Sequence, residues 1–309
     1  MDTTYMIMEN HLITEIQRLK KEKNAIILAH YYVNDELQAL ADYVGDSFYL
    51  AKVAKGTDAD VVVFCGVSFM GESAKMLNPE KTVLMPDLTA DCPMAHMAQV
   101  ERIKELREKY DDLAVVCYIN STAELKRYSD VCVTSSNAVK IVKALPNQNI
   151  FFIPDVNLGR FVAEQVPEKN VILNDGYCPI HKEIRPEGVR MQKEKYPDAL
   201  VMAHPECEES VLKLADYIGS TADMIAFAKE SECKEFIVCT EEGVNYRLKA
   251  DNPEKKFYFG GEYLCRDMKL NTLEKVLHVL ATGENEMTLP KEVCEQAVKP
   301  LERMLVLGK

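Results

Sequence analysis

A chain of 309 residues, 47% of them hydrophobic, has ample apolar mass for buried cores, while a net charge of -12 without any lysine or arginine run excludes a nucleic-acid footprint. The opening MDTTYMIMENHL has an early acid and no long apolar core, and no later stretch approaches a membrane span, so the expectation is a soluble cytoplasmic protein with no membrane partner. Ten scattered cysteines are too few for a secreted disulfide scaffold and fit thiols kept reduced.

In chain order, residues 9–22 predict an amphipathic helix with Asn10 as its N-cap. NAIILAH then reads as a buried strand, DELQALADY as a helix, YVG as a short strand and SFYLAKVAKG as a helix. DVVVFCG, FMGESAKMLN and KTVLMP continue the alternation as strand, helix and strand. Strands alternating with short helices imply parallel crossovers, hence an α/β sandwich of three layers. Near the end, TLEKVLHVLATG and PKEVCEQAVKPLERMLVL predict two helices, the second interrupted at Pro300.

This unit occurs three times. Pro-Glu-Lys begins at Pro79, Pro167 and Pro253, spaced 88 and then 86 residues, and each copy runs into a cysteine: Cys92, Cys178, Cys265. The same offsets relate Ser47, Ser135 and Thr221, and they relate His30, Tyr118 and His204, then Tyr32, Asn120 and Glu206. Four features on one pair of offsets signal internal triplication. The expected organisation is three pseudo-symmetric α/β/α repeats at 23–90, 91–176 and 177–263 around a central cavity. Residues 1–22 and 264–309 form terminal helical segments, the latter carrying the third repeated cysteine.

The repeated polar residues fall at strand carboxyl ends, the edge where parallel α/β sheets bind ligands. Three cysteines brought together by symmetry suit either zinc with a fourth ligand or an iron-sulfur cube with one iron left open as a Lewis acid. Cys65, Cys117, Cys132 and Cys239 instead sit in β-branched apolar runs and read as core, while Cys233 and Cys294 lie in charged, helical surroundings. Ser47, Ser135 and Thr221 stand where a strand hands over to a helix, so they are expected to cap those helices and seat an anion there. His30, His204 and the off-register His181 of CPIH add donors to the same wall.

HYYVNDELQALADYVGDS, GVSFMGESAKMLNPEK, DGYCPIH, AHPEC, GST and CRDMK together resemble the quinolinate synthase family along the whole chain. The resemblance implies three pseudo-symmetric domains and a 4Fe-4S cluster held by Cys92, Cys178 and Cys265. It implies condensation of iminoaspartate with dihydroxyacetone phosphate to quinolinate in NAD biosynthesis, with loss of phosphate and water. An aspartate oxidase or aspartate dehydrogenase would supply the iminoaspartate. It places substrate contacts on His30, Tyr32, Ser47, Tyr118, Asn120, Ser135, His181, His204, Glu206 and Thr221. Glu206 is the only carboxylate of its register and is expected as principal base, with Tyr32 shuttling a proton and His30 and His204 orienting carboxylates. Cys294 lacks a Cys-x-x-Cys partner, so the disulfide regulation of relatives with that motif is not expected here. Two other readings are a diphthamide-type iron-sulfur enzyme cleaving S-adenosylmethionine and a non-enzymatic electron-transfer or anion-binding protein.

Overall fold

The computed structural model describes residues 3–309, with side chains described from residue 10 onward. Twelve strands form three separate four-stranded sheets, parallel throughout. The first contains β1 (Ala25–His30), β2 (Tyr43–Gly45), β3 (Val61–Cys65) and β4 (Thr82–Leu84), in the order β2-β1-β3-β4. The second contains β5 (Leu113–Tyr118), β6 (Val131–Val133), β7 (Asn149–Ile153) and β8 (Asn170–Leu173), ordered β6-β5-β7-β8. The third contains β9 (Leu200–Ala203), β10 (Tyr217–Ile218), β11 (Glu235–Cys239) and β12 (Lys256–Tyr258), ordered β10-β9-β11-β12. Each strand pair is bridged by helical segments, so the molecule is an α/β fold with three repeated sandwich units. In every sheet the chain reverses its winding between the first and third strands, the crevice where such sheets take ligands.

The central strands are apolar because both of their faces are covered. Leu28, Val62, Val63, Val115, Val116, Phe152, Val201 and Val238 are almost wholly buried. The chain gathers into two compact units: residues 1–92 with 266–294 hold the first sheet, and residues 93–265 with 295–309 hold the second and third. In the first unit the helix Thr3–Glu22 packs against the helix Leu273–Thr282, burying Ile16 and Leu19 on one side and Val276, Val279 and Leu280 on the other. The latter helix stops at Gly283, whose φ of 75° is a left-handed cap that a residue without Cβ adopts freely. Among the described residues no helix is long and apolar enough to cross a membrane.

Three local expectations are corrected. The first helix starts at Thr3, and Asn10 lies inside it, its carbonyl accepting the Thr14 hydroxyl at 2.7 Å. Asparagine costs well under about 1 kcal/mol in a helix interior, too little to break a run that has helix formers on both sides. Pro300 does not interrupt the last helix, which is continuous over Lys291–Leu307. Burial of Ala297, Pro300, Leu301, Met304 and Leu305 along one face offsets the roughly 3 kcal/mol that an interior proline costs. Cys233 is not helical: it lies in the turn between the helix Thr221–Glu230 and β11, its backbone N-H donating to Ser231 Oγ at 3.1 Å.

Candidate active site and metal-ligand positions

The first strand of each sheet delivers its terminal residue to the carboxyl edge: His30 ends β1, Tyr118 ends β5 and His204 follows β9. In two repeats the next turn folds onto the imidazole in the same way. Tyr32 N donates to His30 Nδ1 at 3.2 Å, and Glu206 N donates to His204 Nδ1 at 3.3 Å. An Nδ1 that accepts a backbone N-H places the proton of the neutral ring on Nε2, so both histidines present a donor outward. In His204 that donor meets Ser135 Oγ at 3.2 Å. In the first unit, the Tyr32 ring stands edge-on to His30 at 4.5 Å, and Lys269 Nζ donates to the Tyr32 carbonyl at 2.7 Å.

The second unit assembles a buried acid-base network around Glu206, which is 4% exposed. The Tyr118 hydroxyl donates to Glu206 Oε1 at 2.5 Å. His181 Nδ1 lies 2.8 Å from Glu206 Oε2, off the line of a straight hydrogen bond. The other His181 nitrogen is 2.9 Å from Thr240 Oγ1, and its ring stacks on His204 with centroids 4.8 Å apart. Asn157 Nδ2 donates to the Glu206 carbonyl at 3.1 Å, fixing the peptide that carries the carboxylate.

Burial disfavours charge here, and the groups divide accordingly. It pushes His204 down to about 3, so the imidazole is neutral at physiological pH and orients by hydrogen bonding. It also opposes ionisation of Glu206, but the neighbouring His181 and the Tyr118 hydroxyl outweigh it and hold that carboxyl below its ordinary range. Asp155, fully buried nearby, is pushed well above the ordinary range, first by burial and then by the Glu206 charge.

The neutral His204 has a measurable consequence. The unfolded chain binds a proton below about pH 6.5 and the folded chain only near 3, so each step of acidification in that window favours unfolding. Glu206 adds to this only below 4.5, its ordinary value. Between pH 6.5 and 4.5 the His204 contribution should cost up to about 1.4 kcal/mol of stability per pH unit. Urea midpoints for His204→Gln should fall less steeply over that range than those of the unaltered chain, and parallel slopes would contradict a neutral buried His204.

Cys92, Cys178 and Cys265 occupy equivalent local settings. Each is partly buried and immediately precedes a helical turn, at Pro93–His96, Pro179–Glu183 and Arg266–Lys269. By contrast Cys65, Cys117, Cys132, Cys207 and Cys239 are buried, and burial pushes the thiols of Cys65 and Cys239 up to about 12, which makes them poor ligands. The Cys178 sulfur, a His181 nitrogen and a Glu206 oxygen lie within 4.8 Å of one another, a group able to hold a metal ion. His181 and Glu206 are already engaged with each other, with Thr240 and with Tyr118, so within that group the thiol is the donor best suited to a soft metal.

The hydroxyls Ser47, Ser135 and Thr221 stand just beyond β2, β6 and β10 as expected, but they do not cap the helices. Asp46 caps Ser47–Gly56, accepting from Tyr49 N at 2.8 Å, and Ser220 caps Thr221–Glu230 in a capping box with Asp223. Asn137 is the N-cap residue of Ala138–Ala144, two positions after Ser135. Ahead of Ser47 and Thr221 a preceding polar residue reaches the N-H of the third helical residue, which relieves the hydroxyl of that duty, whereas the Asn137 side chain makes no capping hydrogen bond. Asn120 follows β5, and its Oδ1 is buried with no hydrogen-bond partner among the described residues, a cost that a bound donor would remove.

Sequence reading missed Asp155, Thr240, Asn157 and Glu241. A signal was available: Asp155 and Glu241 stand 86 residues apart, each two residues past the third strand of its sheet, the same offset that relates Ser135 to Thr221.

The model of the family described as Quinolinate synthetase A protein matches residues 14–306. A quinolinate synthase of Fusobacterium nucleatum is 54% identical over 293 residues, covering 95% of this chain and 98% of that protein. Quinolinate synthases of Clostridioides difficile and Aquifex aeolicus are 51% identical over 303 residues and 50% identical over 300, covering 98% and 95% of this chain and 100% and 93% of theirs.

Proposed function

This chain belongs to the quinolinate synthase family, and on that premise we propose that it condenses iminoaspartate with dihydroxyacetone phosphate, releasing quinolinate, phosphate and two waters, in the cytoplasm. The observation that carries the reading is the network joining Tyr118, Glu206, His181, His204 and Ser135 at strand carboxyl ends, beside a cysteine that recurs in all three repeats. Neither electron transfer nor cleavage of a sulfonium cofactor calls for such a network. An aspartate oxidase or aspartate dehydrogenase is the class of enzyme that supplies the imine.

Cys92, Cys178 and Cys265 are the proposed ligands of a 4Fe-4S cluster, one per repeat. Their soft sulfur donors and matched loop settings fit that group. When bound, the cluster supplies an open iron, a Lewis acid for a carboxylate, carbonyl or leaving hydroxyl.

The remaining chemistry belongs to side chains. Forming an aromatic ring requires protons to leave carbon and reach departing hydroxyls. Glu206 is ionised, so it accepts a proton from substrate carbon while Tyr118, donating to Oε1, and His181, beside Oε2, hold its two oxygens in place. Tyr32, at the matching position of the first repeat, shuttles a proton. His30 and His204 present Nε2-H groups that orient substrate carboxylates, and the Asn120 amide takes up a polar substrate atom. Ser47, Ser135 and Thr221, none of them a helix cap, lie where helix-start N-H groups collect and seat anions.

Anaerobic protein given dihydroxyacetone phosphate and an iminoaspartate source should form quinolinate and release equimolar phosphate. Methionine-derived products, or no turnover, would overturn the assignment. In the same assay Ser47→Ala, Ser135→Ala and Thr221→Val should each raise KM for an anionic substrate. Loss of one hydrogen bond to a charged group is worth roughly 1.5 to 3 kcal/mol, and an unchanged KM in all three would remove the hydroxyls from the seat.

A further inference from the structure

The backbone N-H of every repeated cysteine is held by a carboxyl oxygen. Cys92 N donates to Asp91 Oδ1 at 2.8 Å, Cys178 N to Asp155 Oδ2 at 3.2 Å, and Cys265 N to Glu241 Oε1 at 3.0 Å. Asp155 and Glu241 occupy one repeat position, two residues past Ile153 at the end of β7 and two past Cys239 at the end of β11. In the first repeat that position, two past Cys65, is Val67, which has no acceptor. There the carboxylate comes from the neighbouring residue instead, Asp91, braced by the Ser68 hydroxyl at 2.5 Å. The contact has persisted while the position supplying it has changed, which inheritance of a common fold does not by itself explain.

Helix capping does not explain it either. Asp155 caps Val156–Gln165 through Leu158 N at 2.6 Å, but it does so with Oδ1 and uses its second oxygen for Cys178. The helices that follow β11 and β3 have Gly243 and Val67 at their N-caps, so neither Glu241 nor Asp91 is a cap. Each carboxyl also has a second tie that stops it turning away: Leu158 N for Asp155, Gly243 N at 2.6 Å for Glu241, and Ser68 Oγ for Asp91.

We propose that Asp91, Asp155 and Glu241 are positioning residues for the metal-binding cysteines, fixing each cysteine peptide so that its sulfur leaves the loop in one direction. The proposal rests on the ligand assignment made above. A loop ordered before the metal arrives loses less conformational entropy on binding, and metal-sulfur bonds tolerate only small errors of placement. The carboxyls act through the backbone, not as ligands, so at Asp91, where one oxygen makes both contacts, an amide oxygen should replace it.

The test is the rate at which anaerobic holoprotein releases iron to a ferrous chelator, read together with the electron paramagnetic resonance spectrum of the reduced cluster. Asp91→Ala, Asp155→Ala and Glu241→Ala should each release iron at least tenfold faster and shift the resonance line shape. Asp91→Asn should restore both readouts, because Oδ1 alone makes both Asp91 contacts, a rescue that a merely electrostatic role for the carboxylate would not give. Asp155 and Glu241 each use both oxygens, so Asp155→Asn and Glu241→Gln should recover only part of the loss. Wild-type release and line shape in the alanine variants would overturn the proposal, provided that Cys92→Ser, Cys178→Ser and Cys265→Ser lack the cluster. If those serine variants keep it, the ligand assignment falls first and takes this proposal with it. Should an alanine variant fail to fold, Ser68→Ala decides at Cys92 and Glu241→Met at Cys265. Faster release in these supports the role, and wild-type release overturns it.

Discussion

Protein purified anaerobically with iron supplied will carry about four irons and four sulfides per chain, the content of a cubane cluster, and each of Cys92→Ser, Cys178→Ser and Cys265→Ser will lose its visible absorption. The split between these and other cysteines is the informative part. Cys65, Cys117 and Cys239 are wholly buried at or near strand ends, and serine there should leave the spectrum nearly intact while costing some stability from a polar atom in an apolar core. The three repeated cysteines are partly buried, sit ahead of helical turns and have their peptides held by carboxyl oxygens. Zinc in place of iron under these conditions would reduce the assignment to a metal site of another kind. Equal losses from Cys65→Ser and Cys178→Ser would remove the grounds for separating ligands from core.

Glu206→Gln will lose turnover by about 10²-fold or more, the usual scale for a general base, while the cluster spectrum and substrate binding persist. Glutamine keeps the volume and can still accept from Tyr118, but it cannot take a proton. The lowered pKa defines the pH signature. Because His181 and Tyr118 outweigh burial and keep Glu206 ionised, the acidic limb of kcat that it governs lies below its ordinary value of 4.5. Any limb between pH 5 and 8 therefore belongs to another group and should survive in Glu206→Gln as residual activity. Near-normal quinolinate formation by that variant would transfer the role of base to a histidine, leaving the family unaffected.

How much of this was legible in the sequence differs from residue to residue. The strands around Ile27, Val63, Val115 and Val201 announced themselves as β-branched runs, and their parallel pairing followed from the helices between them. The copies of Pro-Glu-Lys, spaced 88 and 86, picked out Cys92, Cys178 and Cys265 without any structure, since each cysteine follows its copy by 11 to 13 residues. His181 stood outside that register and was found only through its proximity to Cys178. Asp155 and Glu241 lay in register and were passed over, because their first-repeat counterpart is Val67 and the ruler was set on features present three times.

The sequence by itself determined the α/β alternation, the triplication and the residue types at the carboxyl edges, since each is written in local pattern and spacing. Only the tertiary structure decided which of those residues meet and in what state of charge. Tyr118 and Glu206 belong to different repeats and lie 88 residues apart, yet the Tyr118 hydroxyl donates to the Glu206 carboxylate at 2.5 Å. Burial, which no local window encodes, makes His204 neutral and Asp155 a weak acid beside an ionised Glu206. Burial likewise carries Pro300 through a helix that its own chemistry would break. Local propensity is worth about 1 to 3 kcal/mol at such positions, and packing and desolvation acting over long sequence separations are larger.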